Sequence, residues 1–373
     1  MSRFLVISLG FYLFFSQSSH SQEIVGQDSS IKVDIKKKHL IGFPALLYSP
    51  ELTWAFGGAG SYYFKFNPKD SLIRTSFIQA LGIATLRKQL VLGIDGSIFF
   101  PNELFILRLH GSVSRFPDRF WGLGNNSRRE DREAYTISQY YLFPQLLRNV
   151  YQKFYVGAAY EAQNVFSFEY ERKANGDPSI FDQQNVAGRN GSLTSGLGIL
   201  LLWDSRNNAF SSSQGFYFQF YINRFSSALG SKFNYRSQIL DARKFTSLGR
   251  TTVMAFQVLV DFNQGNVPIR SMANIGSGSI MRGYYEGRYT DKCMIATQCE
   301  LRQHLTRGFG MVAFVGVGRV ASAISGFTLA DWKPSYGAGV RLAMDKSEKL
   351  NIRFDVGFGQ KAHGVYLNLS EAF

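Results

Sequence analysis

The sequence predicts an all-β fold, a transmembrane antiparallel β-barrel of about sixteen strands between Leu40 and Phe373. Three observations predict it. Apolar and polar side chains alternate with period two in segment after segment, leaving each segment apolar on one face only. After the N-terminus there is no run of about 18 apolar residues, which excludes a helical membrane protein. No amphipathic helix is available to cover the apolar faces, and only 18% of residues are charged against 15% aromatic, which leaves lipid as the covering material.

Residues 1–21 read as an export signal. Arg3 supplies the positive end, Phe4 to Phe15 the apolar core, and Ser19-His20-Ser21 a small-x-small cleavage site, so the mature chain is expected to begin near Gln22. Residues 22–39 form a periplasmic lead-in too short to fold by itself. Net charge is +14, or +13 without Arg3. A basic balance is compatible with nucleic acid, but an exported chain rarely meets any, and no nucleic-acid partner is expected. Lys32 and the run Lys36-Lys37-Lys38 read as a solvated lead-in, with anionic lipid headgroups as the alternative contact.

The barrel occupies residues 40–373, with no composition break to mark a second domain. Gly57, Gly58 and Gly60 in an early strand fit a sharp bend or a close backbone approach. From Phe105 to Phe116, Leu107, Leu109 and Val113 oppose Arg108, His110, Ser112 and Ser114. Phe216, Phe218, Phe220 and Ile222 oppose Tyr217, Gln219 and Tyr221. Met254, Phe256, Val258, Val260 and Phe262 oppose Ala255, Gln257, Asp261 and Asn263. Further on, Tyr336, Ala338, Val340 and Leu342 oppose Gly337, Gly339 and Arg341, and Leu350, Ile352, Phe354, Val356 and Phe358 oppose Arg353 and Asp355. Arginine facing lipid at mid-membrane costs about 2–4 kcal/mol, and in these registers Arg108, Arg341 and Arg353 all fall on the polar face. Short connections near Asn67–Asp70, Pro101-Asn102 and Ser247–Gly249 alternate with long polar ones at Pro117–Arg132, Glu171–Asn190 and Gly265–Thr297, as membrane hairpins require. In the last ten residues Val365, Leu367, Leu369 and Phe373 are expected to share the lipid face.

The most specific local feature is Met281-Arg282-Gly283-Tyr284 inside the longest loop, preceded by the glycine-rich run Ile275–Ser279 and followed by Cys299-Glu300-Leu301-Arg302. With these residues the chain resembles the BamA/TamA outer-membrane assembly superfamily, also called the bacterial surface antigen family. In that family a loop tip of the form Arg-Gly-(Phe/Tyr) folds into the lumen and its arginine pairs with inward carboxylates. The resemblance therefore implies a lumen latch of Arg282, Gly283, Tyr284 and Glu300, with eleven strands before the loop and five after it. Asp204, Arg206 and Asn207, followed by Gly215, resemble the family's hairpin signature. Tyr48-Ser49-Pro50-Glu51 resembles its barrel start, and the terminal strand with Leu367, Leu369 and Phe373 its C-terminal sorting signal.

The chain departs from the pattern in two ways. Gly316 stands where the family commonly has an aspartate, so Arg282 is expected to rely on Glu300, with Asp355 a candidate to compensate. The resemblance covers the barrel alone, and POTRA domains are not expected in this chain. It implies an outer-membrane barrel that assists insertion or export of outer-membrane or surface components, with the seam between first and last strands offering edges. Expected partners are outer-membrane lipid, the barrel assembly machinery for its own insertion, and a separate periplasmic subunit in place of the POTRA domains. A plugged pore for solute or polypeptide, or a structural barrel, are the alternatives.

Cys293 and Cys299 are expected to form a loop disulfide, since export permits one. A metal site would need further ligands; none lies nearby, and His39, His304 and His363 lack ligand spacing, so neither metal nor cofactor is expected. His110 and Ser112 resemble the His-x-Ser pair of outer-membrane lipid A deacylases. Those are small barrels with the site on the lipid face, whereas here the pair faces the lumen, and no enzyme is expected.

Overall fold

The computed structural model of the chain describes residues 39–66, 75–171, 177–208, 210–306, 308–345 and 350–373. The expected export signal, nearly all of the lead-in and the turn at Asn67–Asp70 lie outside the described residues. The strands are β1 (His39–Ser49), β2 (Thr53–Phe64), β3 (Ser76–Thr85), β4 (Leu90–Phe99), β5 (Phe105–Phe120), β6 (Glu133–Leu142), β7 (Gln145–Tyr151), β8 (Phe154–Tyr170) and β9 (Ser192–Asp204). Then follow β10 (Gly215–Phe225), β11 (Tyr235–Ser247), β12 (Thr252–Gly265), β13 (Ala273–Ile275), β14 (Tyr289–Asp291), β15 (Cys293–Thr306), β16 (Phe309–Ala321), β17 (Lys333–Asp345), β18 (Leu350–Gly359) and β19 (Ala362–Leu369).

All but β13 and β14 join one antiparallel sheet that closes through β1 and β19. β6 and β7 are halves of a single strand. Leu142 faces Gly111 and Gln145 faces Arg108, an unbroken register on β5, and the gap falls where Pro144 has no N–H to give. The cylinder therefore has sixteen strands, eleven before the β13–β14 hairpin and five after it.

The two faces of this sheet differ as the alternation requires. Leu92, Ile94, Leu197, Ile199, Met254, Phe256, Val315, Tyr336 and Phe354 are exposed on the outside. Inside, Gln139, Glu161, Gln163, Asn223, Asp241, Gln257, Asp261, Asn263 and Gln298 are buried. Many of them bond one another: Gln163 donates to Gln139 at 3.1 Å, and Gln257 to Asp241 at 2.9 Å. Apolar groups outside and paired amides inside identify the outer face as lipid-facing. No described helix is long and apolar enough to cross a membrane.

Two boundaries differ from the sequence reading. β5 runs on to Phe120 and β15 begins at Cys293, four residues before Thr297, so the longest loop ends at Lys292. The expected disulfide is absent, and both thiols are free. Cys293 and Cys299 lie six positions apart on the extended strand β15, roughly 20 Å at strand rise, whereas a disulfide needs Cα atoms within about 7 Å.

The last residues also depart from expectation. β19 ends at Leu369, Ser370 takes a left-handed φ of 65°, and the chain turns inward. Phe373 leaves the lipid face and is buried with Phe245 and Ala255.

The lipid-facing assignment has a direct test. Phe220→Arg should destabilise the barrel by about 2–4 kcal/mol in reversible unfolding from lipid vesicles, and lumen-facing Gln219→Arg by clearly less.

Candidate functional site

The loop between β12 and β15 folds back into the barrel. Its base is the hairpin β13–β14, in which Asn274 faces Thr290. Its tip carries three residues of left-handed φ, Gly276 (104°), Met281 (54°) and Gly283 (105°), which reverse the chain tightly enough to aim Arg282 at the wall. Arg282 and Tyr284 are completely buried.

The wall is built to receive them. A Cβ added at Gly357 would lie 2.7 Å from the Arg282 carbonyl carbon, and one at Gly283 would lie 2.6 Å from that of Phe358. Gly359 is likewise filled by the Tyr284 ring. Strand and loop backbones therefore meet where neither carries a side chain. Hydrogen bonds close the contact. Gly283 N–H donates to the Tyr366 hydroxyl at 2.9 Å, Ser335 donates to the Arg282 carbonyl at 2.5 Å, and Tyr284 donates to the Pro334 carbonyl at 2.7 Å.

The Arg282 guanidinium lies 3.5 Å above the Phe314 ring and bonds Asp355 at 2.6 Å and Glu300. Gly316 thus leaves no unpaired arginine, because Asp355, two strands further along the sheet, supplies the second carboxylate. From these partners the pairs run on. Arg302 meets Glu300 at 2.9 Å and Glu371 at 3.9 Å, and Arg341 meets Glu371 and Asp355, each at 2.6 Å. Arg282, Glu300, Arg302, Glu371, Arg341 and Asp355 form a closed ring of alternating charge. A buried ion needs such pairing, since removing one partner costs about 3–5 kcal/mol.

Glu371 places the ring within reach of the chain's last residues. Its N–H donates to the Phe210 carbonyl at 3.3 Å, Ser370 donates to the same carbonyl at 2.8 Å, and Arg302 donates to the Phe373 carbonyl at 2.9 Å. Phe210 belongs to the β9–β10 turn, whose base is the expected hairpin signature. There Arg206 grips Asp204 with two bonds of 2.8 and 2.9 Å and covers the Tyr217 ring at 4.5 Å. Asn207 accepts from Ser213 N–H at 3.0 Å, and the Gly215 site abuts the Ser205 carbonyl. Of the terminal residues, Leu367 faces Tyr48 across the seam and Leu369 lies partly buried at the end of β19.

The structure thus brings Arg282, Gly283, Tyr284 and Glu300 together, and links the hairpin to them through Phe210 and Glu371. It does not bring Cys293 and Cys299 together. Sequence reasoning missed Glu371, Arg341 and Tyr366. Glu371 had a signal: in unbroken alternation it would share the lipid face with Leu369 and Phe373, an unfavourable place for a carboxylate. The glycine seat also had one, since Gly357 and Gly359 recur on a single face. His110 lies 3.5 Å from Asp95, but no described hydrogen bond joins it to Ser112.

A second polar cluster holds the loop's far side. Glu286 N–H donates to the Glu51 carboxylate at 2.7 Å, and Tyr285 donates to Asp118 at 3.0 Å. Burial, with the Glu51 and Asp118 carboxyls beside it and Arg270 only partly offsetting them, pushes Glu286 well above the ordinary carboxylate range. Burial also raises Glu51.

The Omp85 superfamily domain matches residues 85–373. The chain belongs to the Omp85 superfamily. Among solved structures, BamA from Haemophilus ducreyi lacking POTRA domains 1–3 is similar with a TM-score of 0.58 at 11% identity, covering 89% of this chain and 70% of that one. CdiB from Acinetobacter baumannii gives 0.55 at 12% identity, covering 89% and 60%, and CdiB from Escherichia coli 0.55 at 10%, covering 88% and 62%. These likenesses concern the fold. No curated protein sequence matches the chain. An outer-membrane-type barrel of the assembly and transport class is the functional class that this Omp85 domain supports.

Because the seated loop favours the protonated Glu286, seating is at full strength below the ordinary carboxyl value of 4.5 and weakens as pH rises towards the raised one. Protection of residues 283–288 against hydrogen exchange, each rate taken relative to the intrinsic amide rate at the same pH, should therefore be higher at about pH 5 than at about pH 8, and Glu286→Gln should flatten most of that difference.

Proposed function

We propose that this Omp85 barrel resides in the bacterial outer membrane and assists insertion or export of outer-membrane or surface components at the seam between β1 and β19. The observation that carries the reading is how little joins those strands. β1 and β19 share one register pair, Tyr48 with Leu367, whereas β1 and β2 share eleven. The reason is geometric. β19 stops at Leu369 and the chain turns inward at Ser370, so the stretch of β1 before Leu46 has no described strand on its seam side. Such an edge of unpaired N–H and C=O groups is a template for another strand.

In this reading the charge ring keeps the lumen braced while the seam works. The arginine of the loop, the carboxylates of the wall and the tail carrying Glu371 hold β15, β17 and β18 together, so opening is confined to β1 and β19. A separate periplasmic subunit delivers the client, and the barrel assembly machinery inserts this chain itself. A second reading, a plugged pore, is favoured by one observation: the β12–β15 loop occupies the lumen, and the β9–β10 turn with the tail lies across the opposite mouth. Conductance that rises on deleting residues 274–292, with clients unaffected, would favour that reading.

The seam is tested by locking it. Residues directly opposite in an antiparallel pair have Cα atoms about 4.5–5.5 Å apart, within disulfide reach. Tyr48→Cys with Leu367→Cys, in a Cys293→Ser and Cys299→Ser background, should cross-link on oxidation. The lock should halt assembly of dependent surface proteins and release it on reduction. Unchanged assembly with the seam fully cross-linked would refute the role.

A further inference from the structure

The outer surface carries one arrangement that lipid tails cannot satisfy. Arg224 on β10 and Arg236 on β11 stand directly opposite each other in the register. Both are exposed, while Asn223 and Phe225, and likewise Tyr235 and Ser237, are buried on the lumen side. The two guanidiniums therefore point outward together. Like charges directly opposite in a sheet are unfavourable, and no carboxylate pairs with either among the described residues.

Their height on the barrel indicates what neutralises them. Below Arg224, β10 presents Ile222, Phe220, Phe218 and Phe216 to the outside, and β11 presents Gln238 beside the arginines and then Leu240 and Ala242. This band is about 20 Å long at strand rise. Lys244 lies at its lower edge, opposite Phe216. The arginine pair marks its upper edge, beside exposed Leu197 on β9 and Gln264 on β12. This is the end that carries the long loops, which face the exterior in barrels of this kind. Arginine at such a boundary costs only about 0–1 kcal/mol, so the position is tolerated. The like-charge pairing is what requires a partner.

We propose that Arg224 and Arg236 form a binding site for a phosphate group, supplied by a phosphorylated lipid of the outer leaflet. A phosphate offers several acceptor oxygens to two forked guanidiniums, a pairing stronger than neutral hydrogen bonds. It removes the repulsion between the arginines, and its acyl chains lie along the Phe216–Ile222 band. The inference rests on the outward orientation of this face and is independent of the role assigned to the seam.

The test uses the whole barrel in neutral detergent and thermal unfolding as the readout. Diphosphorylated lipid A should raise the melting temperature of the wild-type protein, and its dephosphorylated counterpart should not. Arg224→Gln with Arg236→Gln should weaken lipid A binding by roughly tenfold or more, the scale of losing one charge-assisted hydrogen bond. Lys244→Gln, at the opposite edge, should leave it unchanged. Inorganic phosphate serves as a separate arm. If it reproduces the full shift at equal concentration, the site takes free phosphate and the lipid assignment is overturned. An equal lipid A response in wild type and double variant, or none in wild type, would overturn the site itself.

Discussion

Seven side chains decide how this barrel is organised inside. Arg282 hangs from the tip of a long loop and would be an unpaired buried cation unless the wall met it with carboxylates. Glu300 and Asp355 do so, and each is shared with a further arginine, Arg302 or Arg341, which meet again at Glu371. Arg353, 3.6 Å from Asp355, adds a fourth cation to three carboxylates. The loop, three wall strands and the last residues of the chain are thereby bound into one electrostatic unit. Removing any member of the closed ring takes from each of its two neighbours one of their ion-pair partners.

That unit explains the shape of the seam. Glu371 can reach Arg302 and Arg341 only if the chain turns inward after Leu369, and the turn takes away the residues that would have continued β19 along β1. The brace and the open edge share one cause. The Omp85 fold supplies the cylinder, but the way this chain closes the lower part of its lumen comes from the β9–β10 turn and Glu371.

The strands were legible because each is apolar on one face, and period two is difficult to imitate over eleven or more residues. Arg282 and Glu300 were legible through resemblance, and Asp355 only as a candidate, because sequence separation hides that β15 and β18 face the same lumen. The inward tail was hidden because Val365, Leu367 and Leu369 continue the alternation up to the turn. Glu371 was the one residue that broke it. The disulfide expectation failed for a related reason: two cysteines six apart look close in a loop, but Cys293 and Cys299 lie on an extended strand. Arg224 and Arg236 became meaningful only once the register set them side by side.

The charge ring is tested most directly by asking whether the tail and the loop sense each other without touching. Glu371 makes no described hydrogen bond with the loop tip, so Glu371→Gln acts on the shared partner of Arg302 and Arg341, and on the 3.0 Å bond from Asn351, without touching the loop. Hydrogen exchange at residues 280–284 should speed up in that variant about as much as in Asp355→Asn, and the double variant should add less than the sum of the two. Unchanged protection of the loop in Glu371→Gln, with the tail released, would contradict the account.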